Sequence, residues 1–377
     1  MSGHVVIAPD KFKGSLSAAE VAGHVAAGLR RARPELCVDP MPVADGGEGT
    51  VDAAVSAGFT RVRARVSGPM GEPVTASYAV RGDTAVVELA EASGLRLLGD
   101  APREPLTASS HGTGELIDAA LLGGATRIVL GLGGSACTDG GAGMATALGA
   151  RLLTAEGRPV APGGGGLGSL AFIDLRLIAE RLREVEVVVA GDVDSPLLGP
   201  EGAAAVFAPQ KGADPGQVRV LESALARLDA VVRRDLGVHA AGQPGAGAAG
   251  GVGFGALAFL GAAVRPGIAY LLDLLGFPGR VEGARLVITG EGSLDRQSLR
   301  GKAPVGVARA AARAGVPAVA VAGRCALTGE QLRRARLQGA YALTELEPDL
   351  GRSMAGAGPL LERLAERLAH DWLEGPR

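Results

Sequence analysis

Charged and hydroxyl-bearing residues in this 377-residue chain gather just downstream of short apolar runs. "VVIA" is followed by Asp10, Lys11, Lys13 and Ser15, and the run ending at Val43 by Asp45 and Glu48 within "ADGGEG". "RIVLGLGG" is followed by Ser135, Thr138 and Asp139, "VEVVVAG" by Asp192 and Asp194, and "LVITG" by Glu291, Ser293 and Asp295. A short apolar run bounded by turn residues reads as a buried strand, and open α/β sheets bind ligands beyond the carboxyl ends of their strands. Five such loops bring the parts of phosphoryl transfer into one chain. Lysine neutralises the charge that moves, an Asp accepts the proton of an attacking hydroxyl, and carboxylates hold Mg²⁺ beside phosphate. Two glycine-rich stretches, "GLGGSACTDGGAG" (Gly131 to Gly143) and "GAAGGVGFG" (Gly247 to Gly255), read as loops opening helices, whose free N–H groups suit phosphate oxygens.

The lysines are informative because they are scarce. The chain has 34 Arg and four Lys, at positions 11, 13, 211 and 302. A generic positive charge is therefore supplied by Arg, and a lysine marks a place for a compact, flexible ammonium.

The elements that must position these residues follow from periodicity. Val5 to Ala8 is a strand, Ser17 and Glu20 form a capping box, and Val21, Val25 and Leu29 recur at helical spacing. A second strand covers Val38 to Val43, followed by a short helix from about Thr50 to Ala57. Strand and helix alternate again from Ala284 to the closing amphipathic helix, with a second capping box at Thr328 and Gln331. This alternation predicts a parallel, doubly wound sheet. Between them, Val62, Ala64 and Val66 alternate with arginines, and the turns "SGPMGEP" and "RGD" separate further alternating runs, which predicts an antiparallel meander. The expected organisation is an α/β domain built from residues 1–61 and 281–377, with a second α/β domain, residues 62–280, inserted in it.

Composition narrows the function. A net charge of −2 and 11 aromatic residues offer little to a polyanion or to stacked bases, so nucleic acid is not an expected partner. No apolar run reaches the ~20 residues of a membrane span, and the N-terminus lacks a secretion signal. A cytoplasmic location is expected. Three dispersed cysteines, with no CxxC or HExxH, argue against a disulfide framework or zinc. Gly301-Lys302 is followed by Ala303 with no glycine five residues earlier, so there is no Walker P-loop. "GLGGSA" lacks the acidic partner of a dinucleotide fold, which disfavours an NAD-dependent oxidoreductase.

The motifs "APDKFKGSLSA", "VADGGEGT", "HGTGELI", "LGGSACTDGGAGM", "DVDSPLLGPEGAAAVFAPQKGA" and "TGEGSLDRQSLRGKAPVGVA" run in order along nearly the whole chain. In these the sequence resembles the bacterial glycerate kinase family. The resemblance implies a Rossmann-like or flavodoxin-like domain with a second α/β domain inserted, and an active site in the cleft between them. It also implies transfer of the γ-phosphoryl group of ATP, with Mg²⁺, to D-glycerate, giving 2-phosphoglycerate or 3-phosphoglycerate. The alternative is a kinase of another small hydroxy-acid or sugar acid. Lys13 matches the family's lysine, whereas Lys11 stands where serine is frequent. Val43 replaces a Met, Ser195 stands where Asn is common, and His111 where Tyr is common.

Within that frame Lys13 and Asp192 are the expected catalytic pair, Asp192 as proton acceptor. Asp10, Ser15, Asp45, Glu48 and Lys302 are expected around the substrate. Gly133, Gly134, Ser135, Thr138, Asp139, Gly290 and Glu291 are expected at the nucleotide, and Asp194 and Asp295 at the metal. Monomer and homodimer both remain open.

Overall fold

A computed structural model describes residues 3–100 and 102–373. In chain order the strands are β1 (Val5–Pro9), β2 (Val38–Pro40), β3 (Thr60–Ser67), β4 (Pro73–Arg81), β5 (Thr84–Glu88), β6 (Arg127–Gly131), β7 (Arg151–Leu153), β8 (Phe172–Asp174), β9 (Glu186–Ala190), β10 (Ala263–Arg265), β11 (Leu286–Leu294), β12 (Ala318–Cys325) and β13 (Ala340–Ala342). Internal contacts divide the chain into a first unit, Met1–Asp45 with Asp52–Ala57 and Ile268–Arg377, and a second, Gly46–Val51 with Gly58–Gly267.

The first unit carries a five-stranded parallel sheet in the order β13-β12-β11-β1-β2. Numbered within the unit and read from the β2 edge, this is 2-1-3-4-5, the flavodoxin-like order, whose direction reverses between β1 and β11. Both strands are covered on each face, which is why they read as unbroken apolar runs rather than alternating ones. Helix Ala18–Ala32 opens on the Ser17–Glu20 capping box, with Ser17 N–H donating to Glu20 Oε2 at 2.8 Å. It buries Val21, Val25 and Leu29 in a cluster with Leu361, Leu364 and Leu368 of the closing helix Ala357–Leu373. Gly28 lies on this seam, where any side chain would strike the Glu362 carbonyl.

The second unit holds a six-stranded sheet, β10-β9-β6-β5-β4-β3. β3, β4 and β5 form an antiparallel meander with Arg61, Arg63 and Arg65 exposed, and β5, β6, β9 and β10 run parallel. Its core is filled by residues such as Ile128, Leu130, Leu225, Leu228 and Phe254.

Four details differ from the sequence reading. Hydrogen-bonded strand β2 ends at Pro40, although Met41 and Val43 still donate to Ile7 and Pro9 carbonyls. β11 continues to Leu294, so Gly290 and Glu291 lie within a strand and not in the loop after it. The return to the first unit comes at Ile268 rather than near 280, because Ile268 packs against Gly306 of helix Ala303–Arg313. Finally, "GAAGGVGFG" is no open loop. It forms the buried start of helix Ala248–Phe259, kinked by positive φ at Ala249, Gly250 and Gly251.

Candidate active site

In the first unit, β1 and β11 lie side by side with Pro9 opposite Gly290, and the Asp10 N–H donates to the Gly290 carbonyl at 2.8 Å. This is the switch point of the sheet, where the crevice of a flavodoxin-like order opens. Asp10 and Glu291 therefore sit together at it, and Asp45 is close enough to act electrostatically on both. Burial pushes the Asp10 carboxyl up to about 7; Lys11 opposes the rise, while Asp45 and Glu291 add to it. Burial also raises Glu291, against the pull of the Ser298 hydroxyl and the Lys302 ammonium, with Asp45 and Asp295 adding like charge. Glu291 Oε2 lies 3.6 Å from Lys302 Nζ, whereas its Oε1 is buried with no hydrogen-bond partner among the described residues. Such an oxygen costs free energy until a proton, a cation or a hydroxyl satisfies it.

Lys13 is exposed, and Gly292 of β11 lies against its backbone, where a Cβ would come within 3.3 Å of the Lys13 nitrogen. Lys11 pairs with Asp10 at 3.7 Å. The lysine that stands where serine is frequent in the family thus has a carboxylate contact. Ser15 donates to the Phe12 carbonyl at 3.2 Å and shapes the loop. Asp295 accepts from Gln297 N–H at 2.8 Å and Ser293 Oγ at 3.1 Å, and the Gln297 amide above all holds its carboxyl below the usual range.

In the second unit the glycines of "ADGGEG" and "GLGG" meet backbone to backbone. Gly133 N–H donates to the Gly46 carbonyl at 3.1 Å, a Cβ on Gly133 would overlap Gly47, and one on Gly46 would overlap the Ala190 carbonyl. That approach lays the Glu48 side chain over Gly134, which is exposed, next to Ser135. Glu88, the last residue of β5, holds the other side of the loop by accepting from Gly49 and Val51 N–H at 3.1 and 3.2 Å. Asp192 and Asp194 are exposed beyond β9, and Asp192 Oδ1 accepts from Gly267 N–H at 2.9 Å.

Several expected nucleotide ligands turn inward. Thr138 and Asp139 are fully buried. Asp139 Oδ2 accepts from Ser110 N–H (2.8 Å), Ser110 Oγ (2.9 Å) and Gly143 N–H (3.2 Å), and its Oδ1 from Gly141 N–H (3.1 Å). The chain's own carboxylate therefore fills the place at the start of helix Ala142–Ala147 where phosphate was expected. Gly133 gives its N–H to Gly46, and the missing side chain of Gly290 makes room for the Val321 carbonyl on β12. Lys211, the third of the four lysines, is buried beneath the same loop and donates to the Cys137 carbonyl; burial lowers its pKa to about 8. Sequence inspection counted Lys211 without placing it and passed over Glu88. The signals were a lysine kept in an arginine-rich chain and an acid closing the apolar run "TAVVE".

Among the described residues no group of three or more His, Cys, Asp or Glu side chains is arranged to hold a metal ion, and Asp194 and Asp295 belong to different units. Mg²⁺ takes one or two carboxylates together with substrate phosphates, so a protein cage is not required for it.

Carboxylates and lysines at a flavodoxin-like switch point, with a second, mixed sheet capped by interlocked glycine loops, define an α/β enzyme of the phosphotransferase type. Comparison with known proteins makes this particular. The profile of the glycerate kinase family matches residues 5–373. A glycerate kinase of Halalkalibacterium halodurans is 44% identical over 369 residues, covering 97% of either chain. A glycerate 2-kinase of Escherichia coli is 46% identical over 322 residues, 85% of this chain and 84% of the relative. A crystal structure from Salmonella typhimurium LT2, provisionally named glycerate kinase 2, superposes with a TM-score of 0.83 at 42% identity, over 99% of this chain and all of that one. The chain belongs to the glycerate kinase family and is a kinase.

Proposed function

We propose that the protein transfers the γ-phosphoryl group of ATP to a hydroxyl of D-glycerate, releasing ADP and 2-phosphoglycerate. The observation that carries this reading is the cluster at the β1–β11 switch point, where Asp10, Asp45 and Glu291 adjoin Lys11 and Lys302. A glycerate offers hydroxyls to the carboxylates and a carboxylate to the lysines, so both signs of charge have use there. The name of the E. coli relative supports the 2-hydroxyl as acceptor.

Lys13, which is exposed, neutralises charge on the transferring group, and Asp192, exposed beyond β9, takes the hydroxyl proton. Asp45 and Glu48 orient substrate hydroxyls, and Gly134 with Ser135 meets phosphate. Mg²⁺ entering with ATP spreads the phosphate charge, with Asp194 and Asp295 as its candidate carboxylates.

Incubation with Mg-ATP and D-glycerate, followed by ³¹P NMR of the product, tests the reading. A 2-phosphoglycerate resonance is expected. No ADP release with glycerate, alongside release with another hydroxy-acid or sugar acid, overturns the substrate assignment.

Among the described residues no helix is long and apolar enough to cross a membrane. The setting we propose for this reaction is cytoplasmic.

A further inference from the structure

The second unit contains a cavity of about 610 Å³ beside the glycine loop Gly131 to Gly143. Its size falls in the range of small-molecule and cofactor sites. Its walls are the turn between β3 and β4 at Met70, the segment carrying Ser109 and His111, helix Ala142–Ala147 at Gly143 and Thr146, and residues 159–163.

Three observations limit what could occupy it. No Lys, Arg, Asp or Glu lines it. Leu152, Leu167, Pro159 and Pro162 give it apolar faces. The polar groups that remain, among them the Ser109 and Thr146 hydroxyls and the His111 ring, are neutral hydrogen-bonding groups or a weak base. An anion would find no fixed charge to pair with. Of the molecules in the proposed reaction, glycerate and the triphosphate are anions. The adenine ring is neutral, flat, apolar on its faces and hydrogen-bonding at its edge.

The walls are also built rather than incidental. Asp139 ties Ser110 to Gly141 and Gly143, and Ser110 Oγ accepts from Met144 N–H at 2.9 Å. Ser109 Oγ accepts from His111 N–H at 3.2 Å, and Thr146 Oγ1 lies 3.4 Å from His111 Nδ1. One buried carboxylate thereby locks two neighbouring walls of the cavity together. It also fastens the far end of the loop whose near end, Gly134 and Ser135, is the proposed phosphate contact.

We infer that this cavity receives the adenine base of the nucleotide, and that Asp139 is a positioning residue for it rather than a phosphate ligand. The inference rests on the reading of ATP as phosphoryl donor.

Photolysis of the wild-type protein with 8-azido-ATP, followed by peptide mapping, locates the base directly. Label on residues 159–163 or on Met70 is expected; label confined to peptides outside the cavity walls overturns the inference. Ala161→Trp and Met70→Trp, both at exposed positions on different walls, obstruct the cavity. Each is expected to weaken ADP binding, read by calorimetry, and to raise KM for ATP at least tenfold. KM for glycerate and inhibition by tripolyphosphate, which has no base, should be unchanged. Wild-type protein that binds ADP, with both folded variants binding it equally well, overturns the cavity assignment and leaves the kinase reading standing. Wild-type protein that neither binds ADP nor consumes ATP overturns both.

Discussion

Lys211 donates a hydrogen bond to the backbone carbonyl of Cys137 from a fully enclosed position beneath the glycine loop. A buried ammonium is expensive, and its pKa is lowered to about 8 by that burial. The unfolded chain keeps this proton to about 10.5. Between those values the unfolded state binds more protons, so the contribution of Lys211 to stability improves as pH rises above 8. Above about 9 the buried Cys137 thiol, whose pKa is pushed up, works in the opposite direction. Urea denaturation should therefore show the wild-type protein gaining on the order of 1 kcal/mol relative to Lys211→Met between pH 7.5 and 9. A constant difference across that window would show that the lysine is not desolvated.

Asp10 has the reverse sign. Its carboxyl titrates at about 7 when folded against 3.8 in the unfolded chain, so the stability it contributes is complete at low pH and lost as pH rises through 7. Asp10→Asn carries no charge at either pH. It should melt several degrees above wild type at pH 8, with the gap narrowing as pH falls below 7 and closing only toward 3.8, while kcat/KM for glycerate falls at least ~10-fold if Asp10 holds the substrate. Equal melting temperatures at pH 8 would contradict the burial argument.

Lys13→Ala and Asp192→Asn should each reduce turnover by at least ~10²-fold if they act on the transition state. Lys11→Ala, which removes the cation beside Asp10, should act mainly through the pH dependence of that carboxyl. Steady-state kinetics on folded variants decide this. Near wild-type turnover removes the residue from its role.

Gly133→Ala places a methyl group into the backbone of Gly47. The atoms it meets are backbone, with no side chain to move aside, so a loss of roughly 1–3 kcal/mol is expected from overpacking. Glu48 should shift with its loop, and KM should rise along with the destabilisation. Chemical denaturation and kinetics on the same sample test the coupling. A stable variant with unchanged KM would show that the two loops are not held in register.

The strand-end residues were legible because a buried parallel strand must be apolar throughout and polar the moment it ends; Asp10, Glu48 and Asp192 were found that way. The capping boxes at Ser17 and Thr328 were legible for a similar reason, since the side-chain chemistry is local. Direction was not legible. "TDGG" reads equally well as a phosphate loop and as a self-capped turn, and only the arrival of Ser110 from a distant segment makes Asp139 the second. "GAAGGVGFG" misled for a related reason, because a glycine run describes a flexible loop as well as a helix packed against the backbone of Gly140 and Gly141. Lys211 could be counted but not placed, since its partner is a carbonyl, which every residue has.

The pairing of β1 with β11 sets Val5 opposite Leu286. During synthesis the first strand emerges tens of seconds before its neighbour, at translation rates of about 5–20 residues per second. Throughout that interval a strand of five buried residues has only β2 beside it, while the entire six-stranded sheet of the second unit can form from sequence already made. The strand order thus bears on assembly at the ribosome: the sheet of the second unit can close before β1 meets β11.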